Sequence, residues 1–194
     1  MLHYQQESSQ GYHDLSVEAL MLKQGVITLS GEVGSEMNHS FFESMWYLNQ
    51  NPEIREIKLI LDSPGGSVQD GLAMIDMIRN SKKKVVCIVA GMAYSMGAVI
   101  LAASNERLIL PNSKVMIHEP SLMRAGGNAS SMRETAEDLI KMNELLCNLL
   151  AECTGHTKEE VEQLVQKDHY FTAKEAVEFG ICDRIAETND LWSE

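Results

Sequence analysis

Long apolar runs are missing from this 194-residue chain. None reaches the roughly 18 residues that a membrane-crossing helix requires. The first residues, MLHYQQESSQGYHD, lack the basic-then-apolar layout of a secretory signal. Positive charge is scarce: 16 Lys and Arg stand against 28 Asp and Glu, for a net charge of −12. That balance speaks against nucleic-acid or anionic-membrane partners, which need basic patches. Cysteine is sparse, and Cys87, Cys147, Cys153 and Cys182 form no CxxC pair and no metal-ligand rhythm. No metal and no cofactor is therefore expected. Cys87 and Cys182 stand in apolar, strand-like runs, where a buried free thiol is common. The expectation is a soluble protein of the reducing cytoplasm.

What is present is an ordinary globular composition, 44% hydrophobic, long enough for one domain with a substantial core. Residues 1–15 are polar and unpatterned and read as an arm or loop. GVITLSGEV (25–33) alternates as a strand does. From Ser35 the spacing predicts a helix with Phe41, Met45 and Leu48 on one face and Phe42 and Trp46 alongside. IKLILD (57–62) predicts a strand, and SPGGS breaks it. Ser67 with Asp70 resembles a capping box for a helix with Leu72, Ile75 and Ile78 in one stripe. KKVVCIVA is the next strand, MGAVILAAS the next helix, and RLILP and KVMIHEP two further strands. A long amphipathic helix over 131–153, carrying Leu139, Met142, Leu145 and Leu149, stops at Gly155 and exceeds what a domain of this size needs. Thr157–Gln166 and AKEAVEFG are shorter helices, and ICDRI a final strand. Strands alternating with helices predict an α/β fold with a mostly parallel sheet.

GMAYSMGA (91–98) sets Ser95 where a buried strand should end and a helix begin. A side chain at such an elbow is exposed, and the Met96 N–H, opening the helix, suits a developing negative charge. Ser95 can then serve as a nucleophile, but the octapeptide alone favours the plainer reading of a glycine-rich junction with a filler serine. SPGGS, with two glycines after a strand, frees backbone N–H groups to face a ligand, and Gly66 is a candidate second oxyanion donor. Serine also needs a base. His118, at the end of KVMIHEP, can face a cleft there, with His169 the alternative. For a third group, Asp62, Asp70, Asp76, Asp168 and Asp183 are all candidates, and spacing does not choose among them.

LSGEV, LDSPGGS, GMAYSMGA, LPNSKVMIHEP and FTAKEAVEFGICD follow one another in the order found in ClpP, the proteolytic subunits of the Clp protease. The chain resembles that family from about residue 18 to residue 187. The resemblance implies a crotonase-like α/β ClpP spiral fold with a protruding strand–helix handle at about 121–153. It implies an arm or axial loop over 1–17 before a peptidase domain over 18–194. It also implies Ser95 as nucleophile, His118 as base and Asp168 as the triad acid, with backbone oxyanion donors at Gly66 and Met96. Substrate would bind as an added strand near Gly126 and Gly127. Seven subunits would form a ring and two rings a closed chamber.

With no GxxxxGK[ST] motif in the chain, unfolding would fall to a separate AAA+ ring ATPase such as ClpX, ClpA or ClpC. Two departures from the family pattern fall at contact positions. Lys58, Asn80, Ala90 and Ala186 stand where the family's rim pockets are bulky or aromatic, while Ile60, Ile88, Leu108 and Leu110 stay apolar. Gln166-Lys167 replaces an acidic–Arg pair used between rings, and Lys does not copy Arg's bidentate geometry. Such changes suit a divergent paralogue in a mixed complex. A serine endopeptidase acting on unfolded polypeptides and peptides is the main reading. A non-catalytic or regulatory ring subunit and a crotonase-type acyl-CoA enzyme are the alternatives.

Overall fold

The computed structural model describes residues 3–8, 11–121 and 128–192. The unpatterned N-terminal stretch pairs with itself: β1 (His3–Ser8) and β2 (Gly11–Ser16) form an antiparallel hairpin, followed by α1 (Val17–Lys23), capped by the Ser16 side chain. The main sheet holds β3 (Val26–Ser30), β4 (Glu56–Ser63), β5 (Lys84–Tyr94), β6 (Glu106–Ile109) and β9 (Arg184–Ile185), side by side in that order. All of these pair in parallel. β7 (Lys114–Ile117) joins the far end of β5 in parallel, and β8 (His169–Thr172) pairs antiparallel with β7. The expected α/β architecture is present.

The main core lies on one face of this sheet. There Ile57, Leu59 and Leu61 of β4 and Val85, Cys87 and Val89 of β5 meet the helices. α2 (Ser35–Gln50) brings Phe41, Met45 and Leu48, as its spacing predicts, but leaves Phe42 and Trp46 53% and 61% exposed. α3 (Val68–Arg79) buries Met74, Ile75 and Ile78. Its start is half of the expected box. The Ser67 hydroxyl accepts from the Asp70 N–H, but Asp70 turns its carboxylate to the Asn38 amide instead of back to Ser67. α4 (Met96–Ala102) is buried at every position.

α5 (Ala129–Thr154) begins at an Asn128 cap and ends at Gly155 in the left-handed region, φ 79°. Its buried positions are Leu146, Cys147 and Leu150, and none of residues 129–145 is buried. The expected stripe is therefore displaced by about one residue. Met142 and Leu149 pack only at its edge, and Leu145 is 44% exposed. α6 (Lys158–Val165) and α7 (Ala173–Phe179) start with complete capping boxes, Thr157–Glu160 and Thr172–Glu175. Among the described residues, no helix is long and apolar enough to cross a membrane.

β4 and β5 do not stay in step. Leu61 pairs with Val89, but Ser63 pairs with Ala93, so β5 carries two extra residues. The Asp62 carboxylate fills the gap by accepting from the Met92 N–H at 3.0 Å. Gly91 sits against that carboxylate at φ 128°, where a Cβ would fall 2.3 Å from Asp62 Oδ1. Its N–H donates to Ser113 Oγ, which donates to the Val89 carbonyl. Beyond this irregularity β5 leaves β6 and pairs with β7.

On the opposite sheet face, Val86, Ile88, Leu108 and Ala186 form a second, small apolar cluster edged by Ile60, Leu110 and Leu191. The short helix α8 (Thr188–Leu191) lies there. Lys58 is not a free charged wall: its ammonium donates to the Asp190 carbonyl at 2.8 Å. Arg184 donates to both Asp190 carboxylate oxygens at 2.7 Å. That bidentate pair holds the Asp190 carboxyl down at about 2. A depressed carboxylate stabilises above its ordinary value, and the contribution fades as pH falls through the folded value. Between pH 4 and 2 the α8 contact should weaken. Trp192 fluorescence in a Trp46→Phe background should report the change, and Asp190→Asn should remove its pH dependence.

Candidate active site

Ser95 is the one non-glycine residue with positive φ among the described residues, at φ 52°, ψ −120°. Such a conformation costs on the order of 1–3 kcal/mol and persists where its surroundings over-determine it. Two contacts hold it here. The Ser95 N–H donates to the Met116 carbonyl of β7 at 2.8 Å, and the Ser95 carbonyl accepts from Ala98 and Val99 as α4 begins. The residue thus occupies the N-cap of α4, where a serine hydroxyl ordinarily caps. Its side chain makes no cap bond. Instead Ser95 Oγ lies 2.9 Å from His118 Nε2.

His118 follows the last residue of β7, and Asp168 precedes the first residue of β8. Ile117 pairs with His169 in that antiparallel ladder, so the next cross-strand pair in register is His118 with Asp168. His118 Nδ1 lies 3.2 Å from Asp168 Oδ1. With Asp168 accepting at Nδ1, the Nδ1–H tautomer leaves Nε2 free to accept the serine proton. The Glu119 N–H donates to the Val165 carbonyl at 2.9 Å and fixes the backbone just after His118. The Asp168 side chain is 59% exposed and that of His118 27%, so the site faces solvent in the single chain.

The other candidates are engaged elsewhere. Asp62 braces the β4–β5 irregularity, and Asp70 meets Asn38. Asp76 lies exposed on α3, and Asp183 pairs with Arg107. His169 packs edge-on against Phe171 at 4.6 Å. Among the described residues, no three His, Cys, Asp or Glu side chains gather as a metal-holding group.

The glycine pair packs on the elbow itself. A Cβ on Gly65 (φ 97°) would fall 2.6 Å from Ser95 Cβ and 3.0 Å from the Met96 nitrogen. One on Gly66 (φ 146°) would fall 2.2 Å from the Val33 carbonyl. The bridge between Val33 and Gly66 uses the Gly65 carbonyl and the Ser67 N–H, and does not spend the Gly66 N–H. The Met96 N–H is the first of α4, ahead of the bonds that Ala98 and Val99 make to Ser95. Gly65 thus abuts Ser95 and Met96, while its neighbour Gly66 lies against Val33. Gly126 and Gly127 lie outside the described residues.

A pocket opens next to Ser95, walled by Val68, Val99, Leu146, Leu150 and Val165, with Ser95, Met96 and His118 also lining it. Sequence reasoning missed these walls, because they come from four separate helices. It also missed Gly71, whose lack of a side chain makes room for Met96; a Cβ there would fall 2.3 Å from Met96 Cγ. Asn143 and Cys147 line the pocket from α5.

Comparison with known proteins identifies a family. The Clp protease family model matches residues 9–189. Proteins named ATP-dependent Clp protease proteolytic subunit are similar over 96% of both chains. Those of Streptococcus agalactiae, Streptococcus mutans and Streptococcus pneumoniae are 34%, 33% and 35% identical. The chain belongs to the Clp protease family, a family of serine peptidases, and its parallel-sheet α/β fold is that of the family.

Proposed function

We propose that this chain is a serine endopeptidase of unfolded polypeptides and peptides, with Ser95 as nucleophile, His118 as general base and Asp168 as the group that orients the imidazole. The observation that supports this most is the hydrogen-bonded run Ser95 Oγ–His118 Nε2 and His118 Nδ1–Asp168 Oδ1, at 2.9 and 3.2 Å. As Ser95 attacks a peptide carbonyl, His118 takes its proton, and Asp168 stabilises the imidazolium without being protonated itself. The carbonyl oxygen gains charge and is met by the N–H groups of Gly66 and Met96. His118 returns the proton to the leaving amine, and water then releases the acyl-enzyme by the same route. The apolar pocket takes the side chain beside the attacked carbonyl, and the chain lies as an added strand near Gly126-Gly127.

On this reading the site is enclosed by assembly. Two seven-membered rings would stack face to face, with α5 as the handle and the exposed Met132, Ile140 and Leu145 as its contact side chains. A separate AAA+ ATPase would deliver unfolded chain. The enzyme would work in the cytoplasm, a setting supported by four unpaired cysteines.

A fluorophosphonate probe should label Ser95 in wild type and not in Ser95→Ala; failure to label the folded, assembled wild type would sink the peptidase reading. Asp168→Asn should lower kcat on a fluorogenic peptide by two to four orders of magnitude. Gly65→Ala should slow labelling strongly, through both its positive φ and the collision with Ser95, while Gly34→Ala, which meets nothing within 4 Å, should not. Native mass spectrometry should find fourteen subunits; a stable monomer, trimer or hexamer would rule out the stacked rings.

A further inference from the structure

Away from Ser95 and His118, the pocket beside Ser95 is lined by apolar side chains except on α5, where it meets Asn143 and Cys147. One turn apart on the same helix, these two side chains bond to each other: Cys147 Sγ donates to Asn143 Oδ1 at 3.6 Å. Cys147 is 1% exposed. Burial pushes its thiol up to about 11, so it keeps its proton at neutral pH and stays a donor. A donor at that position engages the oxygen end of the carboxamide and leaves the Nδ2 end, with two N–H groups, free for another partner. Asn143 is half-buried and lines the pocket, so a substrate side chain entering there can supply that partner.

Resting on the peptidase reading above, we propose that Asn143 is a specificity-determining residue, whose carboxamide offers a hydrogen-bond donor to the tip of an unbranched substrate side chain such as glutamine. A wholly apolar pocket disfavours glutamine, because its amide loses water and gains no partner. Asn143 offsets that loss for the carbonyl of the glutamine amide, while Val68, Val99 and Leu150 still accept its methylene stem. The pocket therefore takes side chains with an apolar stem and an accepting tip alongside plain aliphatic ones. The thiol of Cys147 plays no covalent part.

The test uses two fluorogenic peptides that differ only in carrying glutamine or norleucine at the residue whose carbonyl is attacked. The readout is the glutamine-to-norleucine ratio of kcat/KM in the assembled enzyme. Asn143→Leu should lower that ratio by about 5–10-fold, the worth of one good neutral hydrogen bond. Asn143→Ala should lower it similarly and serves if the leucine variant fails to assemble. A ratio within twofold of wild type in an assembled variant that still labels with fluorophosphonate overturns the role of Asn143 and leaves the peptidase reading standing. Absence of cleavage of either peptide by wild type, with Ser95 unlabelled, overturns both.

Discussion

The short strand β7 is paired on both sides in opposite senses, parallel to β5 and antiparallel to β8, and the candidate site depends on that double pairing. The parallel side brings the Met116 carbonyl to the Ser95 N–H and ends β5 at the elbow. The antiparallel side brings Asp168 opposite His118. A slip of one residue on either side would turn side chains to the other face and separate the three groups. The register is fixed by burial, since Val115, Ile117 and Phe171 all sit in the main core. Hydrophobic packing thus sets hydrogen-bond distances at the surface.

The strain at Ser95 is held in the same way. Its φ of 52° would relax if the following helix could shift, but all seven residues of α4 are buried. Moving the helix would expose apolar surface at about 25 cal/mol per Å², and a few side chains' worth outweighs the 1–3 kcal/mol stored in one unusual backbone conformation. Upstream, the Asp62–Met92 bond and the close approach at Gly91 let β5 leave β6 for β7. Asp62 is therefore a brace for the elbow that needs no part in the chemistry.

Periodicity made much of this fold legible. Phe41, Met45 and Leu48 lie on the buried face that their spacing predicts, and β4 and the helix starting after Thr157 lie where the local pattern puts them. Periodicity was less informative on α5, where apolar residues occur on several faces and the buried set is Leu146, Cys147 and Leu150. The hairpin over residues 3–16 had no alternating pattern to announce it. At the site, the elbow and the histidine were visible as candidates because each follows from local context. Choosing an acid was different in kind. Asp168 is 50 residues from His118, and only the cross-strand register joins them. That information resides in a pairing between distant segments, which a single sequence does not encode locally; the family resemblance supplied it instead.

Helix α5 shows what the single chain leaves unfinished. Residues 129–145 run for roughly 25 Å at 1.5 Å per residue and include no fully buried position in their own chain. Helices of that length are marginal in water unless a packed face supports them. The Asn128 cap, with its side chain accepting from Ser130 and Ser131, and the Asp138–Lys141 pair contribute only modestly. Met132, Ile140 and Leu145 remain exposed along it. Its other end carries Leu146, Cys147 and Leu150 into the core and into the pocket beside Ser95. A surface that covers the exposed half of α5 would therefore also steady the half that lines the pocket, coupling assembly to the shape of the site through one continuous helix.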